Sequence, residues 1–183
     1  MKIKLHLGCG DRHIPGFINI DIRKSAAVDL ISDISKDLPY KDASVDLIYS
    51  CANIEHFGRK EWKEVIQYWF KLLKPNGVLR LSTADFKSVC DEYLKNGEVE
   101  KLFGFIVGGQ KNDYDWHGMV FDFRFLEREL KKIGFKDVVK YSWDETEHSH
   151  IDDYSSAYLP HMDKEKGRLM MLNIEATKSG EDE

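Results

Sequence analysis

The chain has 183 residues, of which 42% are hydrophobic and 12% aromatic, and it sets 27 Lys and Arg against 32 Asp and Glu. That length supports one well-buried core and is short for two ordinary domains, while a net charge of −5 argues against an electrostatic footprint for nucleic acid across the whole chain. Cys9, Cys51 and Cys90 are odd in number and unclustered, which suits neither a disulfide framework nor a zinc knuckle and points to a reducing cytoplasm; no segment approaches the roughly 20 apolar residues of a bilayer span, so no membrane association is expected.

Lys2 to Leu7, Phe17 to Ile20, Val28 to Ile31 and Val45 to Ser50 are short apolar or β-branched runs between turn-rich segments, the pattern of buried strands. Trp62, Val65, Ile66, Trp69, Phe70 and Leu73 then recur at helical spacing, and KPNG (Lys74 to Gly77) is expected to end that helix before a strand from Val78 to Ser82. Phe86 to Leu94 reads as a second helix. Leu126, Leu130 and Ile133 mark another that closes at Gly134, and Val138 to Tyr141 and Leu169 to Ala176 form two last strands. Strands alternating with helices predict an α/β fold whose mostly parallel sheet binds ligands beyond the strand carboxyl ends. The hairpin-like ending predicts one antiparallel strand. Residues 1–178 are expected to form a single domain, and 179–183 a disordered tail.

Chemistry gathers at three successive strand ends. LHLGCGD places Gly8, Cys9 and Gly10 after the first strand, where glycine permits a sharp turn and contact between ligand and backbone. Asp21 ends the second strand, where a carboxylate can accept both hydroxyls of a ribose. Asp33 follows the third and can accept a hydrogen bond from an exocyclic amine such as that of adenine. Taken singly, each acid reads as an ordinary surface residue; the series gives them meaning.

LHLGCGD, NID, SDISKDLPYKDASVDLIYSCANIEHF and KLLKPNGVLRLS together resemble a class I S-adenosylmethionine-dependent methyltransferase of the type 11 group. The resemblance covers about Lys2 to Ser82, and more loosely the IGF and LMMLNIEATK elements. It implies a Rossmann-like three-layer sandwich around a seven-stranded sheet with the last strand antiparallel, and S-adenosyl-L-methionine as cofactor. It also implies that Gly8, Cys9 and Gly10 meet the methionine part, Asp21 with Ile22 the ribose, and Asp33 with the Ile34 amide the adenine. Ser50 and Cys51 would line the channel near the sulfonium. Two positions depart from the family: His6 stands where an acid often precedes the first glycine, and Arg12 replaces the third glycine. Arg12 would either meet the methionine carboxylate as a charged fork or face water. RHIPGF, with its Pro15, leaves room for only a very short first helix.

Methyl transfer from a sulfonium needs chiefly a well-placed acceptor, with a general base only where the acceptor has a high pKa, as a sugar hydroxyl does. GGQKNDYDWHGMVF (Gly108 to Phe121) lies where such folds add acceptor-binding elements, and His117 in it is the first candidate base. Asp85 is the second, with helix capping as its competing role. Glu55 and His56 are expected to order their loop. HSHIDD, with His148, His150, Asp152 and Asp153, reads as a solvated loop, so no metal is expected. Tyr114, Trp116, Tyr154 and Tyr158 offer rings for a sugar or a ring-shaped acceptor. The reading is thus an enzyme that methylates an oxygen or nitrogen of a small molecule, a sugar or glycan included. The alternatives are a noncatalytic module that binds the same cofactor and a nicotinamide-dependent oxidoreductase. The latter is disfavoured by His13 at the third glycine's place and by an acid about eleven residues on instead of ~20.

Overall fold

The computed structural model describes residues 2–180. Seven strands form one sheet: β1 (Lys4–Leu7), β2 (Ile18–Asp21), β3 (Leu30–Ile31), β4 (Val45–Cys51), β5 (Leu73–Ala84), β6 (Phe135–Lys140) and β9 (Met171–Lys178). Their order is β3-β2-β1-β4-β5-β9-β6, and β9, the last in the chain, runs antiparallel to both neighbours. This is the Rossmann-like order expected. Of the expected tail, Ser179 donates its hydroxyl to the Gly134 carbonyl at 2.9 Å, and residues 181–183 lie outside the described part.

One face of the sheet is closed by α1 (Glu61–Leu72) and α4 (Phe123–Ile133). Trp62, Val65, Ile66 and Trp69 of α1 and Leu126 and Leu130 of α4 pack with Leu5, Leu7, Ile20, Ile48, Leu79, Leu81 and Ile174 in one core. Trp62 and Trp69 are fully buried; at about 25 cal/mol per Å² each contributes several kcal/mol of burial. α1 ends where expected, but KPNG is no simple stop. It bulges within β5, so that Leu73 pairs with Val45 and Val78 with Leu47. Asn76 at φ 62° makes the bulge, and the two flanking residues recover the ladder.

Two further boundaries differ. The third strand shrinks to Leu30–Ile31, and Leu169 leaves the last strand for a separate hairpin of β7 (Tyr158–Leu159) and β8 (Arg168–Leu169). Met170 follows that hairpin into a small cluster with Val89 of α2 (Phe86–Asn96) and Leu102, next to the short α3 (Phe103–Ile106). Its backbone receives Asp85 N and donates to Ala157 O, both at 2.9 Å. The chain therefore changes sheets at Met170, a step that a continuous apolar run conceals.

The opposite face of the sheet carries a polar layer. Ile14, Phe17, Leu47, Tyr49, Cys51 and Ile151 provide its apolar part, and around them stand His6, Arg80, Tyr141, Glu147, His148 and Asp153. Arg80 pairs with Glu175 at 2.6 Å and Glu147 at 2.7 Å, and Tyr49 donates to Asp153 Oδ2 at 2.6 Å. HSHIDD is thus not a solvated loop throughout: His148 is buried and packs against Tyr49 at 4.3 Å and Phe17 at 5.7 Å. His150 and Asp152 stay exposed, so the three residues do not converge. The irregular strap 142–157 brings His148 down onto Tyr49, a tertiary contact invisible to a local pattern.

Burial, helped by the Arg80 cation, pushes His148 down to about 4 from 6.5, against the opposing pull of Asp153 and Glu147. Burial lowers His6 as well. Because the unfolded chain binds these protons more tightly, stability is complete above pH 6.5 and is lost as pH falls from 6.5 towards 4. For His148 the loss is on the order of 3 kcal/mol. We expect urea midpoints to drop between pH 7 and pH 4.5, and His148→Phe, which keeps the ring contacts, to flatten that drop. A wild-type midpoint that does not change over this range would contradict the assignment.

Candidate active site

The carboxyl ends of β1, β2 and β4 meet at the glycine loop. Gly8 and Gly10 have φ of 71° and 55°, and the Gly8 and Cys9 amides both donate to Ile20 O of β2. A Cβ on Gly8 would stand 2.5 Å from Asn53 Cγ; with positive φ as well, only glycine fits there. Asn53 was not singled out from the sequence, although its position two residues beyond β4 is a signal of proximity to β1. Its Nδ2 donates to Ser50 Oγ at 2.9 Å, and Ser50 Oγ in turn donates to Leu7 O at 2.8 Å. Ser50 thus ties the two central strands together at the edge of the site.

Asp21 sits at the tip of β2, 6% exposed. Oδ2 accepts the Gly10 amide and Oδ1 the Arg23 amide, each at 2.8 Å. Each oxygen retains lone-pair capacity for a further donor, which fits a ribose hydroxyl pair. Arg23 lies over the loop, with Nη2 3.4 Å from where a Gly10 Cβ would be and Nε 3.5 Å from Asp21 Oδ1. Arg23 therefore touches the loop, as does Ser25, whose Oγ donates to Gly10 O at 2.9 Å; neither was singled out from the sequence. Arg12 is exposed and Ile22 is 45% exposed, so of the two roles weighed for Arg12 the structure has it facing water.

Asp33 Oδ1 accepts both the amide and the hydroxyl of Ser35, at 2.9 and 2.6 Å, and Lys36 stands 3.5 Å from Oδ2. Against partial desolvation, the Ser35 bonds and Lys36 hold its carboxyl below the usual range, so it remains a hydrogen-bond acceptor. The segment behind it is anchored by α1: Trp69 Nε1 donates to Ile34 O and Tyr68 Oη accepts the Leu38 amide, both at 2.8 Å. Cys9 and Cys51 are buried. Burial, aided by Asp21, pushes the Cys9 thiol up to about 12, and burial with Asp153 raises Cys51 well above its ordinary value. Both thiols are thereby held neutral and are not thiolate nucleophiles.

Beyond Asn53 the chain forms a 3-10 turn, Ile54–His56, which faces the segment 117–119. Glu55 O accepts the Gly118 and Met119 amides at 2.8 and 3.1 Å. A Cβ on Gly118 would fall 2.7 Å from Phe57 O, so glycine is what allows the two backbones to approach. His117 lies in this seam with Nδ1 3.2 Å from Phe105 O. That contact makes Nδ1 the protonated nitrogen and leaves the lone pair on Nε2. Its ring meets His56 edge to face at 4.9 Å, and both nitrogens of His56 face carbonyls, Trp116 O at 3.0 Å and Ala52 O at 3.1 Å. Burial and the His56 ring hold His117 below its ordinary pKa, opposed by Glu55. Glu55 itself is 1% exposed; Oε1 accepts the Ala84 amide at 3.4 Å, and Oε2 has no partner among the described residues.

Asp85 behaves differently. Oδ1 accepts the Lys87 amide at 3.1 Å and Oδ2 the Ser88 hydroxyl at 3.0 Å, which caps α2 and engages both oxygens. His6 is buried, bonded through Nδ1 to Asn19 Oδ1 at 3.0 Å and stacked on Tyr49. In place of an acid before the glycines it supports the polar layer. Tyr114 and Trp116 are 56% and 55% exposed on the segment leading to His117, Tyr154 is 62% exposed on the 142–157 strap, and Tyr158 Oη accepts the Trp143 indole at 3.3 Å in the hairpin region. Among the described residues no group of three or more His, Cys, Asp or Glu side chains could hold a metal ion.

Residues 15–81 match the family described as Methyltransferase domain. No curated protein sequence matches the chain significantly. Among solved structures, an S-adenosylmethionine-dependent methyltransferase from Archaeoglobus fulgidus is similar with a TM-score of 0.59 at 14% identity, covering 97% of this chain and 86% of that one. One from Methanosarcina mazei gives 0.56 at 19%, covering 97% and 92%. Human N-acetylserotonin methyltransferase, solved in complex with S-adenosylmethionine, gives 0.57 at 13%, covering 97% of this chain and 47% of that one. At these identities the likeness is one of fold, which the strand order matches. With the family match over residues 15–81 added, the chain has the fold of the S-adenosylmethionine-dependent methyltransferases.

Proposed function

We propose that this methyltransferase acts on a hydroxyl or amine of a small molecule, with sugars and glycans as the favoured class. The observation that carries the reading is His117. Its Nδ1 proton is committed to Phe105 O, and Nε2 is left as a base beside the turn that follows β4. Such a group is needed for a hydroxyl acceptor and idle for a thiolate. The exposed rings of Tyr114 and Trp116 suit the apolar face of a sugar. Three free cysteines suit a reducing compartment, and we place the protein in the cytoplasm; among the described residues no helix is long and apolar enough to cross a membrane.

When bound, S-adenosylmethionine supplies a methyl group on a positively charged sulfur that is already a good leaving group. In our reading Asp21 accepts the ribose hydroxyls, Asp33 and the Ile34 amide hold the adenine, and the Gly8–Gly10 backbone meets the methionine part. The neutral thiols of Cys9 and Cys51 and the hydroxyl of Ser50 wall the channel. His117 Nε2 takes the proton that the acceptor gives up as its oxygen or nitrogen forms the new bond to carbon. Most of the acceleration comes from alignment. Asp85 keeps its place as a helix cap and is not assigned a step.

Two outcomes follow. Asp21→Ala should weaken S-adenosylhomocysteine binding in calorimetry by on the order of 10- to 100-fold, the worth of a hydrogen-bonded charged acceptor; unchanged affinity would remove Asp21 from the site. His117→Ala should lower turnover by about 100-fold or more while leaving that affinity intact. Because the base must be unprotonated and its pKa lies below 6.5, wild-type turnover should be flat from pH 7 to 8 and decline only as pH falls below 6.5. A decline beginning above pH 7 would rule His117 out as the base.

A further inference from the structure

Glu55 is a buried carboxylate at the carboxyl edge of β4 and β5 that the scheme above does not use and that, unlike Asp85, caps no helix. It is 1% exposed, and its Oε2 is buried with no hydrogen-bond partner among the described residues. An orphaned carboxylate oxygen costs free energy that a purely structural residue has no reason to incur, since an apolar side chain of similar volume would avoid it. Its position is built with some care. Oε1 is held by the Ala84 amide at the end of β5, and the Glu55 carbonyl binds the Gly118 and Met119 amides. The side chain thus lies between the tip of β5 and the segment that carries His117.

The polarity of this place is one-sided. Glu55 Oε2 can only accept while it is ionised, and His117 Nε2, with Nδ1 donating to Phe105 O, also presents a lone pair. Both ring nitrogens of His56 face the carbonyls of Trp116 and Ala52, so the hydrogen bonds of this ring go to backbone and not to Glu55. We propose that Glu55 is an acceptor-contacting residue, and that the methyl acceptor is a molecule with two neighbouring hydrogen-bond donors, as in a sugar diol or an amino sugar. One donor goes to Glu55 Oε2 and orients the molecule; the other goes to His117 Nε2, which removes its proton as the methyl carbon leaves sulfur for that atom. Admission requires the cover to part. The segment that must move is 117–119, held to Glu55 O by the Gly118 and Met119 amides; it continues from residues 110–115, which are tied mainly to themselves through Gln110 N to Asp115 O, Asp115 N to Asn112 O and Tyr114 N to Asn112 Oδ1.

The inference rests on the methyltransferase reading, and the test separates the two. Calorimetry with S-adenosylhomocysteine comes first: a wild-type protein that does not bind it would defeat the cofactor site itself. S-adenosylhomocysteine release is then followed with methyl α-glucopyranoside, methyl α-mannopyranoside and glucosamine, each carrying neighbouring donors, and with methanol and ethanethiol, each of which carries a single donor group. We expect at least one of the first three to stimulate release and neither of the last two. Glu55→Gln keeps an acceptor for the Ala84 amide but removes the charge. It should cut that stimulation by about 100-fold while S-adenosylhomocysteine affinity stays within about twofold and the melting temperature does not fall. Glu55→Asp should restore part of the activity. The proposal is overturned if Glu55→Gln turns over normally, as a protonated structural residue would allow. It is equally overturned if Glu55→Gln loses stability and cofactor affinity together, or if no two-donor probe stimulates release.

Discussion

The close approach of residues 53–58 to two backbones at once is the constraint on which the site depends. On one side Asn53 fills the space that a side chain at Gly8 would need. On the other, Glu55 O binds the Gly118 and Met119 amides, and Gly118 lies so near Phe57 O that no Cβ fits. One short turn after the central strand thereby joins the glycine loop to the segment bearing His117. Both glycines serve the same end, since each removes the atom that would hold two chains apart.

The sheet beneath this turn is asymmetric. Where α1 and α4 cover it, the contacts are aliphatic and aromatic and need no polar partners. On the other face the first crossover is only RHIPGF, too short for a helix of any length, and an irregular strap covers the strands instead. Irregular chain brings its own unpaired polar groups, and the strands answer with His6, Arg80 and Tyr49. The Arg80 pairs with Glu147 and Glu175 and the Tyr49–Asp153 bond are the result. Charges shielded in this way stabilise only while suitably protonated, which ties the acid tolerance of the whole fold to this layer.

Asp21 illustrates how a binding group can be prepared by the protein's own backbone. Its two oxygens take the Gly10 and Arg23 amides, which aims the carboxyl while part of its accepting capacity remains available. Asp33 is organised in the same manner by Ser35, and the chain behind it is pinned by Trp69 and Tyr68. In each case the acid is positioned by contacts that exist without a ligand, so little reorganisation is left for binding.

Much of the fold was legible because it is written in local pattern. LHLGCGD, the NID acid, the helical stripe from Trp62 to Leu73 and the closing IGF each reflect backbone preference or a periodic apolar face, properties that neighbours in sequence determine. The type of sheet and its reversed last strand followed from these and from the resemblance they carry. Legibility failed where the deciding partner is distant. KPNG became a bulge because β4 pairs on both sides of it, and Leu169 joined a hairpin because Tyr158 lies opposite. His148 was buried by Tyr49, 99 residues away in sequence. The glycine, acid and acid at successive strand ends were therefore determined by the sequence itself. Tertiary structure alone decided that the Arg23 side chain lies over the loop while Arg12 is exposed, that Asp85 caps α2, and that Glu55 is left with one buried oxygen without a partner among the described residues, because hydrogen-bond partners and burial belong to the packed chain and not to any window of it.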